Sequence, residues 1–225
     1  AGTGYGLGKA AGGPASSKRK SKRTPPPRCL CSIVHGVKQR GAESLQEGPG
    51  DSMFENLRED WITYGKDITR QGLWVMAVYR FGRWRYGVRP AALRVPLSFA
   101  YKVLKLASQI VTGIDLPCEV TLGRRFQIEH FGGIIISGDT EFGDDCIVRN
   151  GVTIGLRRTN ERGAPVFGSR VDIGAGAVII GRIHVGDDVS IGANAVVLTD
   201  VPCNSVAVGV PAQIRRKSQS AGGTV

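Results

Sequence analysis

From Phe167 to Val201 an apolar side chain returns at every sixth position: Phe167, Ile173, Ile179, Val185, Ile191 and Val197. Four residues after each comes a second small or apolar one: Val171, Ala177, Ile183, Val189, Ala195 and Val201. This period is neither the 3.6 of a helix nor the 2 of a simple strand. Two inward positions per repeat, separated by a bend where Gly168, Gly174, Gly186 and Gly192 recur, describe short flat strands meeting at corners, which is how a solenoid coil is built. The beat starts earlier, at Leu116, Leu122, Ile128 and Ile134, and resumes shifted by two residues at Ile136, Phe142, Val148 and Ile154. One array is predicted from about Leu116 to Val201.

Between Ile154 and Phe167 the beat gives way to a polar run, Gly155 to Pro165. Such a break reads as a loop pushed out of one coil, and these insertions gather on binding faces or sit neutrally on the surface. Arg157, Arg158 and Arg162 within it favour contact with an anion. Ahead of the array the pattern turns helical. A short helix is predicted at Leu57 to Ile62 and a second from Leu73 to about Tyr86, ending near Gly87 with Pro90 beyond. In a third, Phe99, Val103, Leu106 and Ile110 are spaced four, three and four, giving one apolar stripe. Trp61, Trp74, Tyr79 and Trp84 read as core or interface aromatics.

Charge changes the picture mainly at the amino end. The chain has 225 residues and a formal net charge of +11, and residues 1 to 52 hold nine Lys and Arg against Glu43, Glu47 and Asp51. That stretch, with Lys18 to Arg23 and Pro25 to Pro27, shows no apolar period and is expected to be a disordered basic tail. Its basic cluster reads as a solvated charge run rather than a site for nucleic acid or an acidic membrane surface. The first Met is Met53, so residues 1 to 52 are expected to be translated upstream sequence rather than working protein. No apolar core of a secretory signal follows the basic run, and no stretch approaches the ~18 apolar residues of a membrane span, so a cytoplasmic protein is expected. The five cysteines lack disulfide-framework or metal-ligand spacing and read as free thiols.

The hexapeptide beat, the segment around His130, the extruded loop and the closing Gly209 to Ile214 resemble the left-handed β-helix acyltransferases, and among them the serine acetyltransferases most closely. The resemblance runs from about Leu57 to Lys217. It implies a mostly β fold, a left-handed parallel β-helix of hexapeptide repeats behind a short N-terminal α-helical domain. The domains expected are 1–52 tail, 53–112 helical, 113–217 β-helix and 218–225 a disordered C-terminus. The helical part is shorter than in the long family members.

An alcohol is a poor nucleophile toward a thioester until its proton leaves as attack proceeds. An imidazole, with an unperturbed pKa near ~6.5, accepts that proton at neutral pH. The resemblance implies that His130 is this base, that Asp115, fifteen residues earlier, orients it, and that Glu129, at the family's acid position, holds the acceptor. It implies acetyl-CoA as co-substrate in a groove between subunits, lined by Gly155, Ala175 and Ala193. Arg216, in the Arg215-Arg216-Lys217 run, meets the CoA phosphates or is simply solvated. The family carries an Arg-His pair before the proline that closes the loop. Here Arg162 survives as a carboxylate partner, but the second position is Ala164.

The expected activity is O-acetyl transfer from acetyl-CoA to L-serine, in a homotrimer or dimer of trimers with no nucleic acid partner and no membrane span. The alternatives are the same chemistry on a sugar hydroxyl of an exopolysaccharide, and a non-catalytic solenoid scaffold. A metal-dependent solenoid would need three histidines where the array holds only His130 and His184, so no metal is expected.

Overall fold

The inward positions of the repeat meet in one continuous core: from Phe167 to Val201 each of them is buried, as are Leu116, Ile128, Ile134, Ile136, Phe142, Val148 and Ile154, while Leu122 is half-buried against it. The computed structural model describes residues 51–158 and 163–217; the expected tail up to residue 50, the 218–225 segment and Arg162 lie outside the described residues.

Three parallel sheets form the faces of a prism. The first stacks β1 (Ile114–Asp115), β3 (Ile134–Ile136), β6 (Thr153–Gly155), β9 (Val178–Ile180) and β12 (Val196–Val197). The second stacks β4 (Glu141–Phe142), β7 (Val166–Phe167) and β10 (His184–Val185). The third stacks β2 (Gln127–Glu129), β5 (Ile147–Arg149), β8 (Asp172–Ile173), β11 (Ser190–Ile191) and β13 (Ser205–Val208). β14 (Gln213–Arg216) closes the third sheet as an antiparallel partner of β13.

Register locates the irregularities. Ile136 lies beside Ile154, and Ile173 beside Ile191, so a regular coil takes 18 residues. Phe142 lies beside Phe167, 25 residues on, which puts the surplus in the polar run after Gly155. Ile114 lies beside Ile134, and Ile128 beside Val148, each 20 residues on. Those two pairings and the regular one after Ile136 share one solution, a corner two residues longer than the rest, at His130 to Gly133.

Three helices cover one end. They are α1 (Asp51–Thr63), α2 (Gln71–Trp84) and α3 (Ala91–Thr112), with a 3₁₀ turn at Arg85–Gly87. α2 lies on β2 so closely that a Cβ on Gly72 would stand 2.6 Å from the Ile128 carbonyl oxygen, and one on Gly82 would stand 2.5 Å from the Tyr101 ring. Ile128 N–H donates to the Tyr64 hydroxyl at 2.8 Å, and Tyr79 donates to the Val120 carbonyl at 2.7 Å. Buried Asp60 accepts from Arg80 at 2.9 and 3.2 Å, which ties α1 to α2. Of the predicted aromatics, Tyr79 is core, Trp84 stacks on Phe81, and Trp61 and Trp74 are exposed. The predicted stripe on the third helix, Phe99, Val103, Leu106 and Ile110, faces solvent. α3 ends at Gly113, whose left-handed φ of 67° closes the helix and releases the chain into β1.

Candidate active site

The long corner between the third and first sheets carries His130. β2 delivers Glu129 to the edge of the third sheet, the chain turns through His130 (φ 63°), Gly132 (φ 106°) and Gly133 (φ 68°), and β3 resumes the first sheet. Later coils pass the same corner through Gly151, Gly176 and Asn194, all left-handed, so this backbone state is the corner's ordinary device. What sets the first coil apart is the extra length, which leaves the His130 and Phe131 side chains exposed.

The corner forms a column of small residues. Gly151 N–H donates to the Gly132 carbonyl, Gly176 N–H to Asn150, and Asn194 N–H to Ala175, each at 2.8 Å. Ala175, half-buried, and Ala193, exposed, therefore lie on the column that begins at the His130 turn. At about 4.8 Å per coil, the three coils from His130 to Ala193 span about 14 Å. Gly155 stands elsewhere, at the far end of its strand in the first sheet and beside the extruded loop. A Cβ there would meet nothing within 4 Å, so the strand end opens onto free space. Arg216 is farther off, on exposed β14 at the opposite end of the third sheet from β2.

Asp115 sits on β1, two residues after the α3 cap. Gly113 lies under the long corner, since a Cβ on it would stand 3.2 Å from the Gly133 nitrogen and 3.3 Å from the Gly132 Cα. The register pair Asp115 and Ile135 brings Asp115 to the coil end that carries His130, but among the described residues no hydrogen bond joins the two. The Asp115 Oδ1, shielded from water and without an aligned hydrogen bond, faces Lys105 Nζ of α3 at 3.1 Å.

Glu129 is paired too. Arg149, its register partner on β5, places Nε 3.1 Å from Glu129 Oε2 and also bonds Asp172 on β8. The Asp172 and Glu129 carboxylates hold this guanidinium firmly protonated. Sequence reasoning missed Arg149. The available signal was its position, twenty residues after Glu129 and hence on the next rung of the same outward column once the two-residue insertion is counted. Ala164, at the position where the family carries its second loop histidine, is buried. Among the described residues no group of three or more His, Cys, Asp or Glu side chains is placed to hold a metal.

Short parallel coils, a lengthened corner that exposes a histidine, and a column of small residues are the architecture of the hexapeptide-repeat acyltransferase class. No family model matches the chain. It is 42% identical over 122 residues to the serine acetyltransferase of Helicobacter pylori (strain J99 / ATCC 700824), covering 54% of this chain and 71% of that protein. It is 36% identical over 120 residues to a putative colanic acid biosynthesis acetyltransferase of Escherichia coli (strain K12), covering 53% and 72%. The fold matches the crystal structure of serine acetyltransferase in complex with Coenzyme A from Brucella abortus strain S19, with a TM-score of 0.64 at 24% identity over 81% of this chain and 75% of that one. The chain belongs to the serine acetyltransferase family, and its coil is the left-handed β-helix.

Proposed function

We propose that the protein is an O-acetyltransferase that moves the acetyl group of acetyl-CoA to the hydroxyl of L-serine, with His130 as general base. The observation that carries this reading is the long corner. It exposes His130 at the head of a corner column in which Gly151 and Gly176 follow one another and Ala175 and Ala193 stand one position earlier on their coils, residues small enough for an extended thioester arm to lie against the backbone. Gly155 would line the acetyl-CoA site from the far end of its strand, away from the corner.

In the reaction the acceptor oxygen attacks the thioester carbonyl as His130 takes its proton. The carbon–sulfur bond then breaks, and the thiolate leaves with a proton returned from the imidazolium. Asp115 would orient the ring and balance the imidazolium, as buried carboxylates do in hydrolase triads. Glu129, with Arg149 behind it, would hold the amino group of the acceptor. Arg162 would meet its carboxylate, and Arg216 the CoA phosphates. The reading includes a trimer around a threefold axis, because a groove built from exposed Ala193 and His130 needs a second wall.

Transfer to a sugar hydroxyl is the second reading. Ala164 supports it, since one of the family's two carboxylate-binding residues is absent, as does the likeness to a colanic acid acetyltransferase. Thiol release from acetyl-CoA, measured with L-serine beside a panel of neutral sugars, separates the two. Release with serine above the sugars is expected, and release with a sugar alone would transfer the assignment to the polysaccharide acceptor.

A further inference from the structure

The outward face of the third sheet carries charge on three successive strands. Glu129 on β2, Arg149 on β5 and Asp172 on β8 are half-buried there, and the other outward positions of β2, β5, β8 and β11, namely Gln127, Ile147 and Ser190, are uncharged. Two carboxylates around one guanidinium leave the group with a net negative charge.

The guanidinium is not shared equally between them. Its Nη1 donates an aligned hydrogen bond to Asp172 Oδ1, and that bond is the main reason Arg149 is held protonated. Toward Glu129 it makes an ion pair, Nε to Oε2 at 3.1 Å, without an aligned hydrogen bond. Register explains the asymmetry. Arg149 lies directly beside Glu129, whereas Asp172 lies beside Ile147, two residues back along β5, so the guanidinium is drawn diagonally across the sheet and away from the Glu129 carboxylate. A carboxylate in a single ion-pair contact keeps lone pairs for further donors. Were Arg149 paired with Glu129 alone, the two charges would cancel and an incoming cation would find little attraction.

We infer that Asp172 sets acceptor selectivity: by engaging Arg149 it leaves Glu129 with the negative charge that takes the acceptor's ammonium group. The inference rests on the L-serine reading given above, in which Glu129 holds the amino group. Asp172 stands two strand spacings from Glu129, about 10 Å, and is a positioning residue that acts through Arg149.

Steady-state kinetics with L-serine and acetyl-CoA test it on three variants. Asp172→Asn releases Arg149 onto Glu129 and should raise KM for L-serine on the order of tenfold, with KM for acetyl-CoA unchanged. Asp172→Glu keeps the carboxylate and should restore most of the wild-type KM. Arg149→Gln breaks the same hydrogen bond from its other end but removes the competing cation, so KM for L-serine should stay at or below the wild-type value. The Asp172 side chain is 44% exposed and that of Arg149 31%, so all three variants should keep the wild-type thermal midpoint. A merely structural hydrogen bond would give the same loss whichever partner is removed. If the wild type acetylates L-serine and Asp172→Asn leaves its KM unchanged, or Arg149→Gln raises it as far as Asp172→Asn does, the inference is overturned and the serine reading stands. A wild type inactive on L-serine removes that reading and the inference with it.

Discussion

The Lys105–Asp115 pair, at 3.1 Å, sets what Asp115 has to do during a reaction. Its charge is already balanced at rest, so the added benefit of an imidazolium nearby is smaller than for an unpaired carboxylate. Asp115→Ala should therefore lower kcat less than His130→Ala and leave KM for acetyl-CoA unchanged. Steady-state kinetics of both variants checks this, and an Asp115 variant as inactive as the His130 one would give the carboxylate a larger part. Of the residues in the proposed site, His130, Asp115 and Glu129 are assigned through the family resemblance. Arg149 was not, because the column it joins with Glu129 exists only once the coil closes. Ala164 was legible as a departure in the sequence, but its burial was not. The room needed for a histidine depends on neighbours brought in by other coils.

Among the elements, the coils follow directly from the repeat. Period six with two inward positions predicts the coils but not their hand, and the shift of two residues after Ile134 corresponds to the longer corner at His130. The core that results is stacked as well as apolar. Phe142 lies parallel to Phe167 with ring centroids 4.6 Å apart and meets Phe126 edge-on at 5.0 Å. Removing the middle ring opens a cavity between two fully buried neighbours, so Phe142→Ala should cost about 3–5 kcal/mol in urea unfolding with an unchanged m-value. A loss below about 1 kcal/mol would show that the stack is not part of the cooperative core. The helices were less legible. Their periodicity gave the stripe on α3 but not its direction, because a helical pattern fixes which residues share a face and tertiary contacts decide where that face points.

For the whole molecule, the proposed groove is half a site in one chain. Ala193 and His130 are exposed and the column between them has no opposite wall in the described residues. Light scattering on the purified protein should give a multiple of three chains, and a monomer that retains full activity would contradict the shared groove. Acid should loosen the coil in a defined window. Arg125 and Arg170 hold the Asp145 and Asp188 carboxylates below the usual range by direct hydrogen bonds. Groups with depressed folded-state pKa values stabilise above their unfolded pKa, about 4, and that contribution fades as pH falls through the folded value. The pairs are exposed, and their contribution is correspondingly small.

The central claim is that His130 on the lengthened corner removes the acceptor proton, and thiol release from acetyl-CoA by His130→Ala tests it most directly. The side chain is exposed and no described contact depends on it, so the variant should keep the wild-type thermal midpoint and its affinity for acetyl-CoA. Its kcat should fall by ~10² to 10⁴ with the preferred acceptor. A folded His130→Ala protein that releases thiol at the wild-type rate would contradict the account.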